Sequence, residues 1–261
     1  MTTYNPVSPE FLAEVEAVIG KENVFTDPEK LDMYKTDEEY DPRRFRVPEA
    51  VVRPGTPEEI AAIVRLCNKY MVPITVRSGG TSLADGAIAV CGGIILLMER
   101  LNKIIEMNTE AMYMVVEAGA RTVEIQKMAN DAGLLYAGDP CSADSCLIGG
   151  NIATNAGGNR AVKYGTTRHQ VYAVEVVNPT GKIVNLGARL QKQTTGYCLE
   201  QLVIGSEGTL GIITKITVKL LPIPKHSMDL LAVFESADAA IGTVNKIIMG
   251  GITPTCVEYM D

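Results

Sequence analysis

The chain has 261 residues, enough to bury a large core in one domain or two. Its residues are 46% apolar and 21% charged, a globular composition, and its apolar runs, such as Ile94–Met98, are far too short to span a bilayer. A net charge of −7, with four Phe and no Trp, leaves no electrostatic case for a nucleic-acid or anionic-membrane surface. Met1–Pro6 has neither a basic nor an apolar leader pattern, so secretion is not expected. The six scattered cysteines are expected to be reduced thiols in a cytoplasmic protein. No C-x-x-C occurs, and His169 and His226 lie far in sequence from Cys141 and Cys146, so no metal site is predicted.

Ser8-Pro9 predicts a helix start, with Ser8 as cap and Pro9 at the first helical position. Leu12, Val15, Val18 and Ile19 recur at helical spacing, and Gly20 ends the run. Residues 21–46 are polar and turn-rich, with a short helix near Pro28–Tyr34 and a solvated basic loop at Arg43–Arg46. Ala50–Pro54 reads as a strand. Thr56-Pro57-Glu58-Glu59 reads as a capping box before a helix that buries Ile60, Ile63, Val64 and Cys67. Val72–Val76 follows as a buried strand, which completes a β-α-β unit.

That strand runs into Arg77-Ser78-Gly79-Gly80-Thr81-Ser82-Leu83-Ala84-Asp85-Gly86. The stretch is either a tight turn or a loop that aims bare amide N–H groups at an anion. The glycines follow the second strand of the unit. A dinucleotide-binding Rossmann unit needs G-x-G-x-x-G after its first strand, and neither that motif nor G-x-x-x-x-G-K-[ST] occurs here.

Gly93–Met98 reads as a strand, and Ile104–Met107 with Met112–Ala118 as a strand pair. Thr122 is expected to cap a helix through Asp131, with Val123, Ile125, Met128 and Ala129 in the core. A second glycine stretch, Asp139–Gly158, places four glycines in the ten residues from Gly149. It is a solvated loop, a packed Gly/Ala turn, or a wrap around a ligand. Val171–Leu186 reads as a hairpin. A third glycine stretch, Gly205–Gly211, leads into a strand at Ile212–Leu220 with one apolar and one polar face. Pro222 and Pro224 mark a boundary. Leu230–Phe234 and Ala237–Met249 read as a strand and a helix of a new unit.

Ten of the 24 glycines lie in these three strand-adjacent stretches. If they converge, they line a groove of backbone donors and small side chains, suited to a dinucleotide with a pyrophosphate. At these residues the chain resembles the FAD-binding domain shared by vanillyl-alcohol oxidase and para-cresol methylhydroxylase. Within that group it is most similar to the D-lactate dehydrogenase and glycolate oxidase flavoprotein subunits. The likeness is carried by Pro54–Glu59, Arg77–Gly86, Gly149–Gly158, Lys163-Tyr164-Gly165 and Gly205–Thr214.

The resemblance implies an α+β fold: a two-subdomain FAD-binding unit, with the start of a second, cap α+β domain. Residues 1–46 would be an N-terminal helical extension. Residues 47–224 would bind FAD, in subdomains of roughly 47–108 and 109–224, and residues 225–261 would begin a truncated substrate or cap domain. The resemblance also implies roles. Ser78, Gly79, Gly80, Thr81 and Ser82 would cradle the FAD pyrophosphate, and Gly86 and Ala87 would allow close passage. Pro140, Ser142, Gly149, Gly150, Ala153, Asn155 and Gly157 would run along the flavin and ribityl chain. Gly208 and Ile213 would hold the adenosine end. Relatives with covalent flavin often carry His in the pattern V-R-S-G-G-H-S; Thr81 stands at that position here, so non-covalent FAD is expected.

The implied activity is FAD-dependent oxidation of a small 2-hydroxy acid, D-lactate or glycolate, by hydride transfer to flavin N5. In the family a histidine-rich motif in a C-terminal segment after the cap acts on the substrate, so the catalytic base and any metal site would lie beyond residue 261 and the isolated chain is expected to be inactive. The alternative is a non-catalytic FAD-binding scaffold or electron-transfer subunit that acts only with partner chains. An electron-accepting subunit, either an iron–sulfur protein or an electron-transfer flavoprotein, is the expected partner, and it is the only expected route to a membrane surface. Lone His169 reads as a satisfied surface or core residue, and Tyr164 as structural.

Overall fold

The computed structural model describes residues 4–261. The leader expectation at Met1–Pro6 falls in part on Met1–Thr3, outside the described residues. Helix α1 (Pro9–Ile19) starts where Ser8 accepts from the Phe11 amide at 3.2 Å. Phe11, Val15 and Ile19 are its buried stripe, while Leu12 and Val18 are only half-buried. Phe11 meets the ring of Tyr70 edge-on at 5.7 Å and so ties α1 to α3 (Pro57–Tyr70).

The first sheet has the order β1 (Val24–Phe25), β2 (Ala50–Val52), β4 (Ile94–Leu97), β3 (Ile74–Arg77). β4 is inserted between the two strands of the β-α-β unit and runs parallel to both, while β1 is antiparallel to β2. A short helix, α2 (Pro28–Asp32), follows β1. In α3, Thr56 Oγ1 accepts from the Glu59 amide at 3.1 Å, as a capping box requires. The return bond is shifted by one residue: Glu59 Oε2 accepts from Gly55 N at 2.6 Å. Ile60, Ala61, Ile63, Val64 and Cys67 are buried, and burial pushes the Cys67 thiol up to about 12.

The second sheet is antiparallel throughout, in the order β5 (Ile104–Asn108), β6 (Tyr113–Glu117), β10 (Ile212–Lys219), β8 (Val171–Val177), β9 (Ile183–Gly187). β5 pairs with β6, so the division between the sheets falls between Leu97 and Ile104. A break at residue 108 would separate those two partners. Both sheets share one core with α1, α3 and α4 (Thr122–Asp131). β7 (Leu134–Leu135) pairs with β11 (Leu221–Pro222), which brings the chain after β10 back beside α4.

Four local expectations are corrected. β10 does not alternate apolar and polar: Ile212, Ile213, Thr214, Ile216, Thr217 and Val218 are all buried, because the strand is central and covered on both faces. Thr122 does not cap α4. Arg121 holds the cap position, and the Thr122 side chain is fully buried. Met128 is 40% exposed, so Ile125 and Ala129 carry that face. Leu230–Phe234 forms no strand, since among the described residues no neighbour offers it a ladder. A last helix, α6 (Ala237–Met249), follows, and none of its residues is buried.

Candidate functional site

The three glycine stretches meet. β3 runs straight into the first. The second is not strand-adjacent: after the 139–146 loop it becomes a helix, α5 (Ile148–Thr154), with Gly149 and Gly150 in its first turn. The third precedes β10. Gly79 packs on the 145–147 backbone so closely that a Cβ there would sit 2.9 Å from Ser145 O. A Cβ on Gly150 would sit 3.0 Å from Ser78 Cβ, which joins the first stretch to α5. Gly205 N donates to Ile152 O at 3.0 Å and Glu207 N to Ala153 O at 2.9 Å, joining α5 to the third.

Between them lies a cleft enclosing about 890 Å³ of open space, solvent at its mouth included. Its first wall is Ser78, Gly79, Gly80, Thr81, Ser82, Gly86 and Ala87. Its second is Ser142, Gly149, Gly150 and Ala153, with Cys146, Leu147, Asn151, Thr154 and Ala156. Its third is Glu207, Gly208, Gly211, Ile212 and Ile213, and Val76 and Met98 line it from the first sheet. Sequence reasoning missed Glu207, Cys146 and Asn151. All three lay inside quoted stretches, but only the fold brings them to the cleft.

Pro140, Asn155 and Gly157 lie off the lining, for separate reasons. Pro140 is buried within the 139–146 loop. Asn155 is left-handed at φ 50° and ends α5; its Oδ1 accepts from Thr166 Oγ1 and Arg168 N, both at 3.0 Å, which occupies it inside the protein. Gly157 is exposed, with nothing within 4 Å of its Cβ position. His169 and His226 are also off the lining.

Two features fit the cleft to a pyrophosphate. Among the described residues, none accepts from the amides of Gly79, Gly80, Thr81 or Ser82, so four N–H donors remain free on one loop. The glycines keep the walls low enough for close approach of a backbone to a ligand. Arg77 supports the loop from beneath. Its Nη1 donates to Thr36 O at 2.7 Å, and Gly80, at φ 70°, leaves room for the guanidinium. Burial lowers the Arg77 pKa from its ordinary value but leaves a cation under the loop, a favourable field for an anion above it.

The segment 36–44 braces the same loop. Glu38 N donates to Ser82 O at 3.1 Å, and Arg44 pairs with Asp85. Asp37 is 8% exposed, and its Oδ2 has no partner among the described residues. Burial raises its pKa, and Asp85 nearby adds to this, against the Glu39 amide and Arg77. A carboxyl with a raised folded pKa binds its proton more tightly in the folded chain. That stability is therefore present in acid and lost as pH rises through the raised value. Asp37→Asn keeps the Oδ1 acceptor for Glu39 N and removes the buried charge. Its stability relative to the wild type is expected to rise as pH climbs from acid to neutral. Its urea-unfolding stability should thus fall less than the wild type's as pH rises above the ordinary carboxylate range. Equal pH profiles for the two proteins would sink this account.

A dinucleotide cleft of backbone amides, on an α+β fold without a Rossmann fingerprint, defines a class, and residues 48–187 match the FAD-binding domain family. The chain belongs to that family, and FAD is its cofactor. Among curated relatives, it is 39% identical over 258 residues to a D-lactate dehydrogenase of Anaerostipes hadrus, covering 99% of this chain and 54% of that protein. It is 41% identical over 220 residues to the glycolate oxidase subunit GlcD of Bacillus subtilis (strain 168), covering 84% of this chain and 47% of that one. The chain thus spans about half the length of the curated relatives it matches. Among solved structures, p-cresol methylhydroxylase with substrate bound superposes with a TM-score of 0.76 at 23% identity, over 94% of this chain and 50% of that one. An alkyldihydroxyacetonephosphate synthase superposes at 0.80 and 24% identity, over 98% and 48%. Both share the fold. Among the described residues no helix is long and apolar enough to cross a membrane.

Proposed function

We propose that this chain is the cofactor-holding part of an FAD-dependent oxidoreductase that oxidises a small 2-hydroxy acid, D-lactate or glycolate. The observation that carries the reading is the cleft: three glycine stretches around one space, with four free amides on its first wall. The names of the two curated relatives supply the substrate class. FAD, when bound, supplies a hydride acceptor at flavin N5. The chain's own residues hold and orient. The amides of Gly79–Ser82, with the hydroxyls of Ser78 and Thr81, take the pyrophosphate. Ser142, Gly149, Gly150 and Ala153 flank the flavin and ribityl chain; Gly86 and Ala87 let the cofactor pass; Gly208 and Ile213 hold the adenosine end. Pro140, Asn155 and Gly157 act behind this surface rather than on it. Residues 47–224 form the FAD-binding unit, 1–46 are its N-terminal extension, within which 36–44 brace it, and 225–261 belong to the substrate or cap domain. An electron-accepting subunit takes the electrons onward, in keeping with the subunit named among the relatives.

Titration of the deflavinated protein with FAD, followed by flavin fluorescence, tests the reading. Saturable binding, and flavin bleaching on addition of D-lactate or glycolate to the protein in its native assembly, are expected. No FAD binding overturns it. Bound FAD that neither acid reduces overturns the oxidase part and leaves an electron-transfer or scaffold module. Thr81 offers no ring nitrogen for a covalent link, so acid precipitation is expected to leave the flavin in the supernatant. Yellow colour in the pellet would contradict that.

A further inference from the structure

Glu207 is the one charged side chain among the described residues lining the cleft. It holds a left-handed backbone at φ 51°, which a non-glycine residue adopts at a cost. Its amide is fixed to Ala153 O at 2.9 Å, so the residue is anchored to the end of α5. Its carboxylate reaches the first stretch: a Cβ on Gly86 would sit 3.1 Å from Glu207 Oε2. Among the described residues, no donor is hydrogen-bonded to that carboxylate, and no cation pairs with it. The residue is exposed, so water satisfies the carboxylate while the cleft is open; a ligand that fills the cleft displaces that water and must offer donors in its place.

The chemistry of the ligand supplies them. A carboxylate only accepts hydrogen bonds. It repels the pyrophosphate, and the flavin ring offers it a single N–H. The ribityl chain and the adenosine ribose both offer vicinal hydroxyls, and the ribose holds its pair rigidly on a ring, matched to the two oxygens of one carboxylate. Glu207 precedes Gly208, which the proposed reading puts at the adenosine end. We propose that Glu207 binds the 2′,3′-diol of the FAD adenosine ribose and thereby makes the cleft select a full dinucleotide with an unmodified ribose. This rests on the FAD reading above and goes beyond it by naming a specificity-determining contact.

The test is a pair of titrations on the deflavinated protein, with FAD and with its 2′,3′-dideoxyadenosine analogue, each followed by flavin fluorescence. Hydrogen bonds to a charged acceptor predict that the wild type binds FAD about tenfold more tightly than the analogue. Glu207→Ala is expected to bind the two equally, with its affinity for the analogue unchanged from the wild type. Should Glu207→Ala fail to fold, Glu207→Gln keeps the shape and removes the charge and one acceptor oxygen, and a partial narrowing of the ratio is expected. An undiminished ratio in the variant, or no preference in the wild type, overturns the assignment. So does an equal loss for both ligands, which would put the carboxylate on the adenine or give it a purely structural role. If the wild type binds neither ligand, the FAD reading itself falls.

Discussion

Gly149→Val is expected to abolish FAD retention and to lower stability by about 3 kcal/mol. Gly149 is in the first turn of α5, and its amide donates to Ala118 O at 2.7 Å. A Cβ there would meet Ala118 Cβ at 2.7 Å and Ala118 O at 2.8 Å. Ala118 cannot retreat, because its own amide donates to Thr214 O at 3.0 Å, in the central strand of the second sheet. α5 cannot retreat cheaply either. Asn151 Nδ2 donates to Thr122 Oγ1 at 2.7 Å, a buried bond that ties α5 to α4. Any relaxation therefore pushes α5 into the cleft or breaks a buried hydrogen bond, and both displace the second wall. The flavin-to-protein absorbance ratio and the urea midpoint read the two effects. A variant that purifies yellow at wild-type stability would refute the claim that this approach sets the wall.

The local pattern that marks Gly149 was legible in the sequence, but its partner was not. Four glycines in ten residues say that a backbone must come close to something. That the something is both Ala118 and the cleft depends on the turn after β6, far away in sequence. The β-α-β unit, the hairpin and α1 were readable because caps, turns and periodicity are local. The inserted position of β4 was not, since parallel register is set by long-range packing. β10 was misread for the same reason: its threonines look like a polar face until β6 and β8 flank it. Thr122 looked like a cap because Ser and Thr prefer caps, yet its hydroxyl serves Asn151 instead. Asn155 was read as a ligand contact from its place in the motif. Its oxygen is spent on Thr166 and Arg168, neighbours that only the fold supplies.

Gly79→Ala and Gly157→Ala, one methyl each in the two motif stretches, are expected to part sharply. At Gly79 the added Cβ would sit 2.9 Å from Ser145 O and 3.2 Å from Cys146 Cα, both backbone atoms. The 142–147 segment is held by Cys146 N donating to Ser142 O at 2.8 Å and by the Arg121–Leu147 bridge, so it yields little. The first stretch must then lift away, and the free amides of Gly79–Ser82 move with it. Two such bonds to a charged ligand are worth about 3 kcal/mol, or roughly a hundredfold in affinity. At Gly157 the added Cβ meets nothing within 4 Å, and the residue lies off the lining. Gly157→Ala is expected to leave FAD affinity unchanged and stability within about 0.5 kcal/mol of the wild type. Fluorescence titration with FAD and urea unfolding of both variants read the contrast. Equal losses at the two positions would mean that glycine is needed there for chain flexibility and not for the close approach of two walls; a loss at Gly157 alone would move the cofactor to the outer side of the second stretch.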